Sequence, residues 1–360
     1  MSKKEKEEEK TEKKHSLQDA LKAIKKQFGE ESIIKMWDGN SVWDVNTSHS
    51  GSYYMDLIMW GGYPEWRIVE IYWPESSGKT TLTLFAIAEV QRKWWICAFI
   101  DAEHAFDLHY AKSLGVNTDD LLFSQPDFGE QGLQIAEELA KTWAIKLIVI
   151  DSVAALTPKA EIEWDMWASH MWLQARMMSQ WLRKIAGHLS KSGTTIIFIN
   201  QLRQKIGVIY GNPETTTGGT ALKFYASQRI EVRKWEKIEE NKEQIGYYAR
   251  VKIVKNKIFP PFKSCEIAIM FGKWVDKNVD ILDTSVLLGL IPKNGAFYTL
   301  GSEKYQWREK AAAALSMNAD LRESLESQIT SKIREVRTWK ATLIDDKAIE
   351  ADSDEEDMDI

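Results

Sequence analysis

The apolar residues 68–72 run directly into Trp73-Pro-Glu-Ser-Ser-Gly-Lys-Thr80. A strand followed by such a loop is the pattern that curls backbone N–H groups around phosphates, with Lys79 for the β and γ oxygens and Thr80 for Mg²⁺. The loop departs from that pattern at its first glycine, which is Trp73. Phosphoryl transfer to water asks for a charge clamp, a metal and an oriented nucleophile, and little covalent help. Three later apolar segments end in residues of the right kind. Asp151, after 147–150, has the position of the second acid that holds the metal through water. Glu103, in the Asp101-Ala-Glu103 that follows 96–100, could polarise the attacking water as general base. Gln201, after 196–199, would sit near the γ-phosphate and report its presence to the chain that follows. The bland readings, a strand-end cap for Asp151 and a surface carboxylate for Glu103, lose ground because four segment ends supply four parts of one nucleotide-hydrolysing site.

Positioning these groups requires strands whose carboxyl ends lie side by side. Apolar signals at 68–72, 96–100, 147–150, 196–199 and 251–254 are separated early on by amphipathic helical stretches at 80–91, 130–140 and 171–189. Alternating strand and helix patterns with continuously apolar strands predict an α/β fold, a mainly parallel sheet covered by helices, with ligands at the carboxyl ends of the strands. Ser16 is expected to cap a helix bearing Leu17, Leu21, Ile24 and Phe28 on one face, ended by Gly29. The preceding residues 1–15 alternate Lys and Glu as a disordered or solvated helical extension.

The segment 202–220 reads as a long binding loop, with Gly207, Gly211, Gly218 and Gly219, the hydroxyls of Thr215, Thr216 and Thr217, and the cations Arg203 and Lys205. Backbone that can approach phosphates, with a few cations, suits one nucleic-acid strand gripped mainly by its backbone. A second loop, 161–170, leads into a helix carrying Arg176, Ser179 and Arg183 on about one side, and the two could line one groove. A disordered surface loop is the plain alternative, although loops this long inside a domain are usually functional.

Bulk properties narrow the class. The chain has 360 residues and a formal charge of −6. Residues 345–360 hold nine acids and one lysine, a net −8 that leaves +2 for the rest. One large domain with appendages is expected. No apolar run is long enough to span a membrane and the N-terminus is charged throughout, so a cytoplasmic protein without a signal peptide is expected. Cys97 and Cys265 are too few for a disulfide framework or zinc site and read as packing residues.

Over almost its whole length the chain resembles the bacterial RecA recombinase family. The likeness rests on Pro74-Glu-Ser-Ser-Gly-Lys-Thr-Thr81, Phe99-Ile-Asp-Ala-Glu-His-Ala105, Ile150-Asp-Ser-Val-Ala-Ala-Leu-Thr-Pro-Lys159, Gly211-Asn-Pro-Glu-Thr-Thr-Thr-Gly-Gly219 and Val254-Lys-Asn-Lys257. The resemblance implies an ATP-dependent filament on single-stranded DNA that pairs homologous strands in recombinational repair and the SOS response. It implies ATP and Mg²⁺ as cofactors, with Pro74, Glu75, Ser76, Ser77, Gly78, Lys79, Thr80 and Thr81 around the phosphates, Thr80 and Asp151 on the metal, and Asp107, Tyr110 and Phe271 around the adenine. It also implies Glu103 as base, Gln201 as γ-phosphate sensor, and Lys255 and Lys257 reaching the ATP of a neighbouring subunit. Its DNA contacts fall on Met171, Arg176, Ser179, Arg183, Ile206, Thr215, Thr217, Gly218 and Gly219, to which the loop reading adds Arg203. Thr220 stands where the family usually has asparagine.

The resulting plan is a charged extension at 1–15, an N-terminal oligomerisation helix and linker at 16–45, an ATPase core at 46–275, a small α+β DNA-binding lobe at 276–335 that takes duplex DNA, and an acidic tail at 336–360 that restrains DNA access. Expected partners are single- and double-stranded DNA, further copies of the chain, and a self-cleaving SOS repressor. A non-hydrolysing, filament-forming DNA-binding relative is the alternative if Trp73 is genuine. A hexameric helicase fits less well, because the second loop and the acidic tail match the recombinase.

Sixteen tryptophans stand against only twenty glycines, where glycine ordinarily makes up about 7% of residues. Trp37, Trp43, Trp94, Trp95, Trp235, Trp274 and Trp307 fall in charged, turn-like stretches where glycine is wanted. Trp60, Trp66, Trp73, Trp164, Trp167 and Trp172 replace glycine of the family pattern. Core packing does not suit such surroundings, and base stacking suits Trp164 and Trp167 but not Trp37, Trp235 or Trp307. The expectation is a gene that uses UGA for glycine, read with UGA as tryptophan.

Overall fold

The computed structural model describes residues 3–33, 45–73, 79–163, 171–204, 214–240, 242–271 and 275–337. The chain divides into two compact units, Met1–Val45 and Asn46–Ile360. The first is one long helix, Lys3–Phe28, followed by the turn Glu30–Ser32. The helix runs straight through Ser16, so the expected cap is corrected: the Lys/Glu run continues the helix, as side chains of opposite charge four apart support it. Leu17 and Phe28 are exposed within this unit.

The second unit is built on a nine-stranded sheet, counted among the described residues. Its main path runs Ser264–Met270, Glu243–Asn256, Gln228–Glu240, Ile68–Trp73, Thr195–Gln204, Ile145–Asp151, Ile96–Asp101, Leu121–Ser124. From Gln228–Glu240 onward along this path every pairing is parallel, while Glu243–Asn256 pairs antiparallel with both its neighbours. The expected strand at 251–254 is thus the end of a longer antiparallel one. Strands at Leu121–Ser124, Gln228–Glu240 and Ser264–Met270 and the helix Tyr53–Met59 join the elements read from sequence.

Side chains alternate across a strand, and here both faces are buried. Val69 and Ile71, Cys97 and Phe99, Leu147 and Val149, and Ile197 and Ile199 enter one core, closed by helices Tyr53–Met59 and Lys79–Gln91. Ile68, Ala98 and Ile100, Ile148 and Ile150, and Ile196 and Phe198 enter the other, closed by Gly129–Lys141 and Met171–Ser192. This double burial explains why the strands are almost wholly apolar, with Glu70 the buried exception in Ile68–Trp73. Both cysteines are buried packing residues, and burial pushes the Cys97 thiol up to about 12.

A third core, with Ile281, Leu315 and Ile329 at its centre, makes the small lobe of helices Lys277–Leu287, Arg308–Met317 and Ala319–Arg337 around a three-stranded sheet. Leu57 of the large-sheet region packs into it. Asp280 fastens the junction: its buried carboxylate accepts from Ser52 Oγ at 2.6 Å and from the backbone N–H groups of Tyr53 and Tyr54 at 2.6 and 3.2 Å. These are the otherwise unpaired donors at the start of helix Tyr53–Met59. No helix among the described residues is long and apolar enough to cross a membrane.

Candidate active site

Register brings the strand ends together. Asp101 lies opposite Asp151, and Trp73 opposite Gln201, so four carboxyl-terminal strand ends share one edge. The Asp151 carbonyl accepts from the N–H groups of Ala102 and Glu103 at 2.7 and 3.2 Å, tying the Glu103 turn to the neighbouring strand. Asp101 holds the far side of the same turn, accepting from the N–H groups of Ala105 and Phe106 and from Gln125.

Thr80 donates its hydroxyl to the buried Asp151 carboxylate at 2.8 Å. A hydroxyl and one carboxylate, hard oxygen donors, fit a Mg²⁺ that keeps most of its waters and borrows phosphate oxygens. Glu103 Oε1 accepts from Gln201 Nε2 at 2.8 Å and from Ser152 Oγ in a short contact. The Arg203 guanidinium donates to Gln201 Oε1 at 3.4 Å. The general-base candidate and the sensor candidate are therefore in direct contact. Ser152, fully buried, belongs with Asp151 to the polar strand end legible in the sequence, which gave it no role of its own.

Beside helix Lys79–Gln91, Thr81 Oγ1 and the Tyr110 hydroxyl lie 2.8 Å apart. Asp107 caps the helix Leu108–Ser113, accepting from the N–H groups of His109 and Tyr110. Phe271 is half exposed, with its ring 6.1 Å from that of Tyr247. Burial raises the Tyr247 phenol, with Tyr110 as the ionisable neighbour that raises it further. Phe271 thus neighbours Tyr247, and Tyr110 packs against the same core as Tyr247; Tyr247 went unnoticed because it sits in an ordinary strand pattern. Pro74, Glu75, Ser76, Ser77 and Gly78 lie outside the described residues, as do the side chains of Trp73 and Lys79.

Lys255 and Lys257 are not at this edge. Lys255 pairs with Arg229, which pairs with Glu70, and the Lys257 N–H donates to the Ser227 carbonyl beside the start of strand Ile68–Trp73. At about 3.3 Å per residue, both lie about 10–17 Å back along the sheet from Trp73. Their ammonium groups cap the end of helix Ala221–Tyr225, both donating to the Phe224 carbonyl, at 3.1 and 2.7 Å. Burial, then the charges of Lys257 and Arg229, lower Lys255 to about 8.

The described ends of the segment after Gln201 form a strand pair. Strand Thr195–Gln204 continues through Arg203 and forms an antiparallel pair with Glu214–Thr216, in which Arg203 faces Thr215. Thr217 donates to Asn200 Oδ1, and Asn200 Nδ2 donates to the fully buried Glu70, which also accepts from Arg229. This buried chain ties the segment to the centre of the sheet; Glu70, a carboxylate in an apolar strand, was its legible signal. Gly218 and Gly219 both have φ of 79°, and a Cβ there would meet Val153 Cγ1 at 2.6 Å and Ala175 Cβ at 2.8 Å. They press the segment onto the helix that presents exposed Arg176 and Arg183 and half-buried Ser179. Thr220 precedes helix Ala221–Tyr225 without capping it. Ile206, Lys205, Gly207, Gly211, residues 164–170, the Met171 side chain and the acidic tail lie outside the described residues.

A family model described as the RecA N-terminal domain matches residues 15–276, and one described as the RecA C-terminal domain matches 279–334. The chain is 48% identical over 350 residues to Protein RecA of Trichodesmium erythraeum, covering 96% of each chain. It is 52% identical over 325 residues to Protein RecA of Leptospira meyeri (90% of this chain, 84% of the relative) and 54% over 312 residues to that of Bacillus thuringiensis (86% and 91%).

Proposed function

The chain belongs to the RecA family, and on that premise we propose how its residues divide the work. As a family member it is a DNA-dependent ATPase that binds ATP, assembles filaments on single-stranded DNA and pairs and exchanges homologous strands in recombinational repair and the SOS response. In our reading Lys79 and the backbone of residues 74–78 hold the phosphates, and Thr81, Tyr110, Asp107 and Phe271 bound the nucleoside. Mg²⁺, held by Thr80 and through water by Asp151, would neutralise charge developing on the phosphates.

Glu103 is the general base: its carboxylate takes the proton of the attacking water. Gln201 trades its bond to Glu103 for one to the γ-phosphate. That exchange frees the base and pulls on the strand leading to Arg203, so nucleotide state and DNA grip move together. Arg176, Ser179, Arg183, Arg203, Thr215 and Thr217, with Met171, Ile206 and the close-packed Gly218 and Gly219, contact the DNA backbone. Lys255 and Lys257 serve a neighbour's ATP, because their own lies at the far edge of the sheet; turnover therefore depends on assembly. The helix Lys3–Phe28 supplies the apolar face for the next subunit, residues 276–335 receive duplex DNA, and the acidic tail limits that access. Residence in the cytoplasm and action on a self-cleaving SOS repressor belong to the same reading.

The observation that carries this reading is the convergence of Thr80, Asp151, Glu103 and Gln201 on one sheet edge. Measuring ATP hydrolysis with and without single-stranded oligonucleotide, on protein of verified mass, tests it. Stimulation by DNA is expected. Filaments that bind DNA without hydrolysis would favour the non-catalytic relative.

A further inference from the structure

Left-handed backbone is where the tryptophans stand out. Among the described residues, five of the eight non-glycine residues with positive φ are tryptophan: Trp60, Trp66, Trp94, Trp143 and Trp307, with φ of 65°, 61°, 62°, 63° and 76°. Tryptophan makes up only 16 of the 360 residues, and positive φ is a true outlier for bulky side chains.

The fold itself supplies the comparison. Where helices end and the chain turns back, glycine makes the turn at Gly115, Gly193 and Gly289, with φ of 88°, 72° and 69°. Trp60, Trp94 and Trp143 make the corresponding turns after Tyr53–Met59, Lys79–Gln91 and Gly129–Lys141. At Trp60 the hydrogen bonds are those of a helix stop: Gly61 N–H reaches the Asp56 carbonyl at 2.7 Å and Trp60 N–H the Leu57 carbonyl at 3.3 Å. The left-handed residue of that motif is usually glycine. Trp307 combines φ 76° with ψ 146°, next to a region that is essentially glycine's alone.

No packing role offsets this at the outer positions. Trp94 is 95% exposed, Trp143 70% and Trp307 54%. Nor do Trp66, Trp94 and Trp143 suit a base-stacking surface for the bound strand: they precede the amino ends of strands Ile68–Trp73, Ile96–Asp101 and Ile145–Asp151, opposite the edge that carries Glu103 and Gln201.

We infer that positions 60, 66, 94, 143 and 307 are glycine in the working protein, inserted at UGA codons by a glycine-charged tRNA that reads this triplet. The backbone has kept the shape that glycine permits, and the indoles are an artefact of decoding. The inference concerns the chemical identity of the chain and stands apart from its catalytic reading.

Two measurements test it. Sequencing the gene should show UGA at all five codons, and mass spectrometry of peptides from protein isolated from its own cells should show glycine there; UGG codons, or tryptophan in those peptides, would overturn it. In a standard host, the chain carrying Trp60→Gly, Trp66→Gly, Trp94→Gly, Trp143→Gly and Trp307→Gly should melt at a higher temperature than the tryptophan-bearing chain, or fold where that chain does not. A five-glycine chain that melts lower or fails to fold would contradict the inference.

Discussion

Gln201 donates its side-chain amide to the Glu103 carboxylate at 2.8 Å, joining two strand ends on either side of Asp151. The residue that would detect the γ-phosphate therefore holds the residue that would activate water. Ser152 grips the same carboxylate oxygen, so in this arrangement Glu103 is engaged from two sides. Removing one grip should separate the positioning of Glu103 from its chemistry.

Gln201→Ala is expected to retain nucleotide binding and lose most of the stimulation of ATP hydrolysis by single-stranded DNA, because the link from nucleotide to Arg203 and Thr215 runs through Gln201. Steady-state ATPase assays at a series of oligonucleotide concentrations check this. Undiminished stimulation would leave the link without support.

Ser152→Ala removes a fully buried hydroxyl and should alter the rate while sparing nucleotide affinity. A general-base contribution is typically about 10²–10⁴-fold, and a residue that only positions the base should cost less, about tenfold. Rapid-quench turnover beside equilibrium nucleotide binding separates the two effects. A change confined to affinity would argue against a positioning role.

Lys255 and Lys257 invite a mixing experiment. A Lys255→Ala, Lys257→Ala chain should bind ATP yet hydrolyse it poorly alone. Adding Glu103→Gln chains, whose lysines are intact, should restore part of the rate, since each lends what the other lacks. The pH dependence has a definite sign. Lys255 is lowered to about 8 by burial and by Lys257 and Arg229, so the fold disfavours its charge. Between about pH 8 and its ordinary range near 10.4 the unfolded chain binds the extra proton, and this group's contribution to stability rises with pH. Activity that needs the cation should fall as pH rises through about 8, and Lys255→Arg should keep it to higher pH.

Trp94 offers the cleanest single test of backbone strain, being 95% exposed. A non-glycine residue in the left-handed region costs about 1–2 kcal/mol, offset in part by the about 0.5–1 kcal/mol that glycine loses in ordering its backbone. Trp94→Gly should therefore stabilise by roughly 0.5–1 kcal/mol, read as a rise in the denaturant midpoint. Trp60→Gly should gain less, because its indole stacks on Phe259 and donates to the Pro260 carbonyl.

Much of this was legible in the sequence. The two buried faces left continuous apolar strands, so the parallel core and its helices could be placed, and the polar residue after each strand marked the site edge. Strand Leu121–Ser124 was not legible because it is short and its side chains are partly exposed. The strand pair at Arg203 and Thr215 was masked by glycines and threonines that read as loop. Ser16 misled because a capping residue type sits inside a helix that charge pairs carry past it. Contacts between distant segments, such as Ser152 with Glu103 and Asp280 with Ser52, leave no local pattern at all.

Replacing Glu103 by Gln keeps shape and hydrogen-bonding capacity while removing the basic oxygen. On protein of confirmed mass, Glu103→Gln should still assemble with ATP on single-stranded DNA while its turnover drops by at least the general-base factor of about 10²-fold. ATP hydrolysis at an unchanged rate in that variant would contradict the assignment of Glu103 as the base.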